Sequence, residues 1–345
     1  MTLTPAPPDD SAPGPRPRRP HGQAWLIVPA LLLAVPAVVA TTLRVDAPTT
    51  ERLAKLATFI PYGLVFWLPV AALLGVAMVR SWRHRSSGRP ITTVLGLAAA
   101  AGLVATLIWE GPAFVPDGRA ATTAPLTLVS LNVHATAQPD AVAQAAAGAD
   151  VAVFVEATHD WTTSLPKGFR RRFPYQAPAM DRIDGGSVIF SRYPISTTTR
   201  LPDSSFQQWA AIVDTPQLGP LRVVGVHPCN PYCDTGLWAH EAEQLRSWLA
   251  SRNTAVPTVV AGDFNAVDDH ITMRGLYADG FRSAADLAGA GFVRTWPADR
   301  AVPPLIGIDH VLMDGGLTAT SLSTFAVPKT DHLGLVAVLS GTGQR

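Results

Sequence analysis

Residues 256–266 read Val-Pro-Thr-Val-Val-Ala-Gly-Asp-Phe-Asn-Ala. The run Thr258–Ala261 is apolar and rich in β-branched residues, as expected of a strand buried on both faces, and Gly262-Asp263-Phe264-Asn265 closes it. In an extended chain residues two apart share a face, so Asp263 and Asn265 are expected side by side at the mouth of a sheet. A carboxylate that can take a proton from water, beside a carboxamide that can steer an anionic oxygen, suits chemistry on a phosphate.

Around this run, from Leu126 onward, strands alternate with helices. Strands are expected at Leu126–Val133, Asp150–Val155, Ser187–Phe190, Ala210–Val213, Leu221–Val226, Ile308–Met313 and Leu333–Leu339. The alanine-rich stretch Gln138–Ala147 has Pro139 at a helix-opening position and Gly148 where a helix would stop. Gly236–Ala250 spaces its apolar residues as an amphipathic helix. Residues 125–345 therefore read as one α/β (α+β) domain, long enough for a single large core.

Polar residues recur where these strands begin or end. Asn132 and His134 follow the first, and Glu156 follows the second. His227 ends Leu221–Val226, while Asp263 and Asn265 end Thr258–Ala261. Asp309 and His310 open another strand, and Asp331-His332 precede the last. Any one of these alone reads as a helix cap, a turn or a surface residue. Their recurrence at strand termini points to one site along one sheet edge.

The first third of the chain is different. Ala24–Thr42, Leu56–Val79 and Ile91–Trp109 contain no charge, and they explain why charged residues make up only 15% of the chain. Each run is close to the roughly 20 residues that cross a hydrocarbon core of about 30 Å. Three in series, separated by short charged loops, read as a retained three-span anchor over 24–109 rather than as buried core helices or a cleaved signal. Residues 1–23, rich in Pro, Asp and Arg, are expected to form a disordered cytoplasmic tail. Arg16, Arg18 and Arg19 precede the first run, and Arg80, Arg83, Arg85 and Arg89 separate the second from the third. The loop from Arg44 to Lys55 mixes both signs. The basic ends belong in the cytoplasm, so everything after Trp109 is expected outside. Residues 110–124, with Pro112 and Pro116, are expected to form a short, partly stiff linker reaching at most about 50 Å.

The near balance of 27 Lys and Arg against 26 Asp and Glu hides an asymmetry, since the basic excess lies in the apolar third and the region from Pro125 is mildly acidic. That composition disfavours nucleic acid as a partner. The local exception, Lys167 with Arg170, Arg171 and Arg172 and with Arg182 not far on, is either a solvated loop or a contact for anionic lipid or substrate. Cys229 and Cys233 can close a tight disulfide loop in an oxidising compartment or stand as two thiols. A metal site on two sulfurs this close is disfavoured.

Seven pieces now stand in order: LNVH (Leu131–His134), VFVEA (Val153–Ala157), GSVIFSRYPI (Gly186–Ile195), VVGVHP (Val223–Pro228), AGDFNA (Ala261–Ala266), IDHVLM (Ile308–Met313) and TDH (Thr330–His332). Together they resemble the endonuclease/exonuclease/phosphatase superfamily, which includes DNase-I-like nucleases, sphingomyelinases and inositol-phosphate phosphatases. The resemblance covers Leu126–Leu339 and has no counterpart in the apolar third. It implies a four-layer α/β/β/α sandwich with the site at one edge of paired sheets. It also implies that Glu156 is the chief ligand of a divalent metal, Mg²⁺ or Mn²⁺, with Asn132 beside it and Asp331 in or near the metal shell. Asp263 would orient and deprotonate the attacking water, and Asn265 would hold a phosphoryl oxygen. His332 would contact the scissile phosphate with Asp309 fixing its ring, and His227 would stabilise the transition state or the leaving oxygen. His310 falls on the opposite face from Asp309 and reads as packing, and Ser191-Arg192 read as structural support. Asp184 is the nearest candidate for a carboxylate that orients His227.

Three spans ahead of such a domain, with the His227-Pro228 and Thr295-Trp296-Pro297 segments, also resemble actinobacterial membrane proteins associated with teicoplanin-type glycopeptide resistance. A fold of this kind does not choose its substrate. An outward-facing domain close to the bilayer is placed for envelope phosphate esters or pyrophosphates, such as lipid-linked cell-wall carriers and phospholipid headgroups. A surface nuclease, and a non-catalytic envelope binding or sensing protein, are the alternatives. Nothing in the sequence sets an oligomeric state.

Overall fold

The computed structural model describes residues 23–233 and 236–343. The expected tail, apart from Gln23, lies outside the described residues. The chain begins with α1 (Ala24–Asp46), α2 (Glu51–Ala57), α3 (Gly63–Arg83) and α4 (Arg89–Glu110). Three helical segments, Ala24–Asp46, Ile60–Arg83 and Arg89–Phe114, are long and apolar enough to cross a membrane. A small seam of Ala30, Ala37, Trp67, Val70, Leu74 and Ala99 holds them together. Their outer faces leave Leu32, Ile91 and Ile108 exposed, a distribution that suits an apolar surround.

The second span starts later than the apolar run that predicts it. Leu56 belongs to α2, a single turn Ile60–Tyr62 follows, and α3 continues to Arg83. Pro61 cannot donate a backbone hydrogen bond, so the helix that begins at Glu51 does not continue through it.

Among the described residues twelve strands follow: β1 (Leu126–Asn132), β2 (Val151–Ala157), β3 (Tyr175–Ala177), β4 (Gly186–Ser191), β5 (Ile195–Arg200), β6 (Trp209–Thr215), β7 (Gly219–Val226), β8 (Thr258–Asp263), β9 (Arg282–Ser283), β10 (Asp309–Met313), β11 (Leu317–Phe325) and β12 (Gly334–Gly341). They form two mixed six-stranded sheets, ordered β11-β12-β1-β2-β4-β3 and β5-β6-β7-β8-β10-β9. β1 runs parallel to β2 and β7 parallel to β8, and the other pairs are antiparallel.

Leu128, Val153, Ile189, Val223, Ala261 and Val311 meet between the sheets. On the outer side of the first sheet Phe154, Trp161 and Phe169 pack under short helices. On the outer side of the second, Trp238, Leu245 and Leu249 of the helix Leu237–Ala250 pack against Val224 and Val260. Helix, sheet, sheet and helix thus form four layers. Both faces of β8 are covered, which is why its sequence shows no alternation.

Several elements lack the patterns that predict the others. β5 is five-sixths Ser, Thr and Arg at an edge, and all but its first residue are exposed. Lys167–Arg172 is a short helix rather than a loop, where Arg170 donates to the Thr163 carbonyl and Arg172 to that of Ala149.

The 110–124 segment does not hang free. Gly291 N donates to Ala113 O at 2.7 Å, Arg282 pairs with Asp117 at 2.6 Å and Thr122 N donates to Gly341 O at 2.8 Å. The helical part also touches the domain directly. Arg44 Nε lies 2.7 Å from Asp269 Oδ1, Arg274 donates to Arg44 O, and Tyr62 donates to Leu305 O at 2.6 Å. His270 Nε2 is 2.8 Å from Ala54 O, so α2 rests on the loop that follows the Asp263 turn.

Candidate active site

The C-terminal ends of parallel β1 and β2 in one sheet, and of β7 and β8 in the other, open toward the same edge. Register places the side chains there: Asn132 stands opposite Val155, and Val226 opposite Gly262. β10 runs antiparallel to β8, so its first residue, Asp309, faces Asp263, the last residue of β8.

Local backbone features aim these groups. Gly262 has φ +145°, and a Cβ there would lie 2.1 Å from Val226 O, so only glycine lets β8 approach β7 while turning Asp263 into the site. Glu156, Asn265 and His134 adopt left-handed conformations, with φ of +56°, +50° and +47°. Such conformations are uncommon for non-glycine residues and gather at functional sites. At Glu156 the cause is visible, because the β2–β4 ladder slips between Phe154 and Ala157 and the extra residue swings out.

Asn132 Nδ2 donates to Glu156 Oε1 at 2.9 Å and to Asp263 Oδ2 at 3.1 Å. His227 Nε2 lies 3.5 Å from Glu156 Oε1 and 3.7 Å from Asp263 Oδ2. His332 Nδ1 is 2.8 Å from Asp309 Oδ2, and its Nε2 is 3.7 Å from Asp263 Oδ2 and 3.8 Å from Asp331 Oδ1. Asp263, Asp309, His227 and His332 are buried, whereas Glu156 keeps 31% of its side chain exposed. Seven of the eight residues expected from the sequence thus form one connected cluster.

The eighth, Asn265, sits at its margin. Its amide donates to Pro228 O at 3.0 Å, and its backbone N–H donates to Asp263 Oδ1 at 2.8 Å, fixing the carboxylate. Asn132 also differs from a simple metal ligand. Its oxygen accepts from His134 N, and its nitrogen bridges the two carboxylates.

Burial would depress the His332 imidazole, but the charges of Asp309 and Asp263 and the bond to Asp309 override it and raise it to about 10. Burial first, and then the charge of Asp309, raises Asp263 above the usual carboxylate range. A raised carboxyl is a stronger base once ionised, which suits a group that accepts a proton from water. Burial also opposes ionisation of Asp331, yet bonds from His134 and Trp296 hold it below its ordinary value.

Supporting residues complete the cluster, and of these only His134 belongs to the strand-end pattern. His134 Nδ1 lies 2.8 Å from Asp331 Oδ1, and Trp296 Nε1 donates to Asp331 Oδ2 at 3.0 Å. Thr330 Oγ1 donates to Asn132 O at 2.7 Å, and Thr295 Oγ1 accepts from Asp309 N. Phe206 stacks on His227 with ring centroids 4.4 Å apart, and Gln208 Oε1 accepts from His227 N. Among the described residues no contact joins Asp184 to His227, whose Nδ1 is buried without a partner. The ring of His227 is set by stacking instead of by the expected carboxylate.

The remaining candidates support the frame. His310 is buried with Nε2 2.8 Å from Ala266 O. Arg192 pairs with Asp150 at 2.9 Å, and Ser191 Oγ accepts from Tyr193 N. Cys229 and Cys233 form a disulfide.

The donor set fits a divalent cation. Asp263, Asp309 and His332 bring candidate ligand atoms within 4.8 Å of one another; with His332 protonated the carboxylate oxygens are the donors, and Asp309 Oδ1 is buried without a partner. Four carboxylates, Glu156, Asp263, Asp309 and Asp331, face one strongly basic imidazole, an imbalance that a hard cation would offset.

Comparison with solved structures places this edge in context. An endonuclease/exonuclease/phosphatase from Bacteroides vulgatus aligns at TM-score 0.52 and 16% identity over 63% of this chain and 99% of its own. A functionally unknown conserved protein from Enterococcus faecalis V583 aligns at TM-score 0.51 and 17% identity, over 63% and 100%. D. rerio TDP2, solved with a single strand DNA product, aligns at TM-score 0.51 and 15% identity, over 63% and 99%. These likenesses are of fold. No curated protein matches the chain. The model of the endonuclease/exonuclease/phosphatase family matches residues 129–332, which contain all eight site residues, and the chain belongs to that family.

Proposed function

We propose that the protein is a membrane-anchored, metal-dependent phosphoesterase that hydrolyses a phosphate ester or pyrophosphate at the outer face of the membrane. The observation that carries this reading is the convergence of Asp263, the His332–Asp309 pair, His227 and Glu156 on one edge. Asp263 takes the proton from the attacking water. Cationic His332, held by Asp309, binds the phosphoryl oxygens, and His227 stands where the leaving oxygen gains charge. Glu156, the site carboxylate most open to solvent, would hold Mg²⁺ or Mn²⁺ with Asp331 near it and Asn132 positioning its carboxylate. Such an ion, when bound, polarises a phosphoryl oxygen.

Lipid-linked cell-wall carriers are the substrate class that placement favours. Support comes from the three apolar helices, the basic residues that precede the first and separate the second from the third, and the disulfide, which suits an oxidising compartment. The resemblance to glycopeptide-resistance membrane proteins agrees with that class. Purified full-length protein with Mg²⁺ in detergent should release phosphate from a polyprenyl pyrophosphate, and Asp263→Ala should abolish release. Absence of turnover across a panel of lipid phosphates would remove the lipid reading. Cleavage of plasmid DNA by the same preparation would favour the nuclease reading, and loss of phenotype in neither Glu156→Ala nor His332→Ala cells would favour a non-catalytic role.

A further inference from the structure

The helix Leu237–Ala250 turns one acidic residue inward. Its buried residues are Trp238, Glu241, Leu245 and Leu249, so Glu241 stands where the spacing of the others calls for an apolar side chain. Glu241 is 3% exposed and is not one of the eight site residues. A buried carboxylate is costly unless hydrogen-bond donors surround it. Here Ser205 N donates to Oε1 at 2.8 Å, and the Ser205 hydroxyl donates to the same oxygen. Oε2 accepts from Cys229 N at 2.8 Å and from the Ser204 hydroxyl at 3.4 Å.

These donors come from two segments that meet at His227. Ser204 and Ser205 precede Phe206, whose ring stacks on the imidazole with centroids 4.4 Å apart and planes 29° apart. Cys229 follows His227 by two residues. One carboxylate thus ties the stacking ring and the chain that carries the imidazole to a common point. Gln208 adds a tie from the same loop, accepting from His227 N at 3.1 Å while its amide donates to the Ser204 hydroxyl. Nδ1 of the imidazole is buried without a partner, so stacking is left to hold the ring plane. In that plane Nε2 lies 3.5 Å from Glu156 Oε1 and 3.7 Å from Asp263 Oδ2.

We propose that Glu241 is a positioning residue for His227: it fixes the 204–208 loop so that Phe206 holds the imidazole plane and Nε2 stays turned to Glu156 and Asp263. Glutamine in its place keeps the shape but turns one acceptor into an NH₂ donor, which then faces the N–H of Ser205 or of Cys229. One of the two segments is released, and the seating of Phe206 on His227 loosens. The loop itself survives the change, because Ser187 N donates to Gln207 O at 2.7 Å and Leu201 N to Gln208 O at 2.8 Å. The kinetic part of the inference rests on the phosphoesterase reading, and the geometric part does not.

The test uses detergent-purified full-length protein and two readouts. In phosphate release, Glu241→Gln and Phe206→Leu should each lower kcat about tenfold while KM and Mg²⁺ affinity stay unchanged. Combined with His227→Ala, Glu241→Gln should cost less than about twofold more, because its effect passes through the imidazole. In proton NMR of histidine-labelled protein, the His227 ring signals are assigned by their loss in His227→Ala. Stacking on Phe206 should hold them upfield, and Glu241→Gln and Phe206→Leu should each move them downfield toward the position of a free imidazole. Unmoved His227 signals in Glu241→Gln, full kcat in that variant, or an undiminished loss on top of His227→Ala would overturn the proposal. If the native protein releases no phosphate, the phosphoesterase reading fails and the ring signals alone decide the positioning role, so the two failures are distinguishable.

Discussion

Asp263 and Asp309 stand directly opposite each other in the antiparallel register of β8 and β10. Two buried carboxylates on facing positions repel, and His332 relieves the repulsion by placing Nδ1 2.8 Å from Asp309 and Nε2 3.7 Å from Asp263. One carboxylate therefore orients the imidazole, and in the proposed reaction the other is left as the base.

That division of labour predicts unequal mutants. Asp309→Asn should lower kcat about 10²–10⁴-fold by releasing the His332 ring and weakening its positive charge. Asp263→Asn should reduce turnover at least as far. Steady-state phosphate release, with circular dichroism to confirm folding, measures both.

Metal affinity should separate Glu156 from the Asp263–Asp309–His332 group. If Glu156 is the chief ligand, Glu156→Gln weakens Mg²⁺ or Mn²⁺ binding by about 10–100-fold or more, while Asp309→Asn changes it less. Calorimetric titration of each variant decides between the two sets, and a chelator should stop turnover in the native protein.

The contact between helical part and domain should loosen in acid. Burial lowers the His270 imidazole to about 4, from an ordinary value near 6.5. The unfolded chain then binds the proton more readily than the folded one, so the stabilisation is complete above about pH 6.5 and is lost progressively as pH falls toward 4. The difference corresponds to about 3 kcal/mol. Thermal unfolding of the wild type should fall through this window more steeply than that of His270→Gln.

Gly262→Ala should destabilise the domain by roughly 3–5 kcal/mol, because the new Cβ meets the Val226 carbonyl at 2.1 Å. Urea unfolding would show a shifted midpoint with little change in slope.

Burial and periodicity made much of this legible in advance. β1, β2, β7, β8 and β10 are short apolar runs that begin or end at polar residues, so their strand character and the polar ends that form the site were both readable. β5 and β3 were not, since an exposed edge strand and a three-residue strand impose no hydrophobic pattern. Phe206 lies in a loop with no sequence signal, and it becomes meaningful only when folding lays it on His227.

By itself the sequence determined local identities: where apolar runs form strands or spans, which strand ends carry acids, amides and imidazoles, and where glycine permits a turn. Only tertiary structure decided who meets whom. The Asp263–Asp309 register, the bridging of Glu156 and Asp263 by the Asn132 amide, the stacking of Phe206 on His227 and the pairing of Arg44 with Asp269 all join residues distant in the chain. Periodicity reports which face of an element is buried, but contacts between elements depend on register and packing, which are properties of the whole fold.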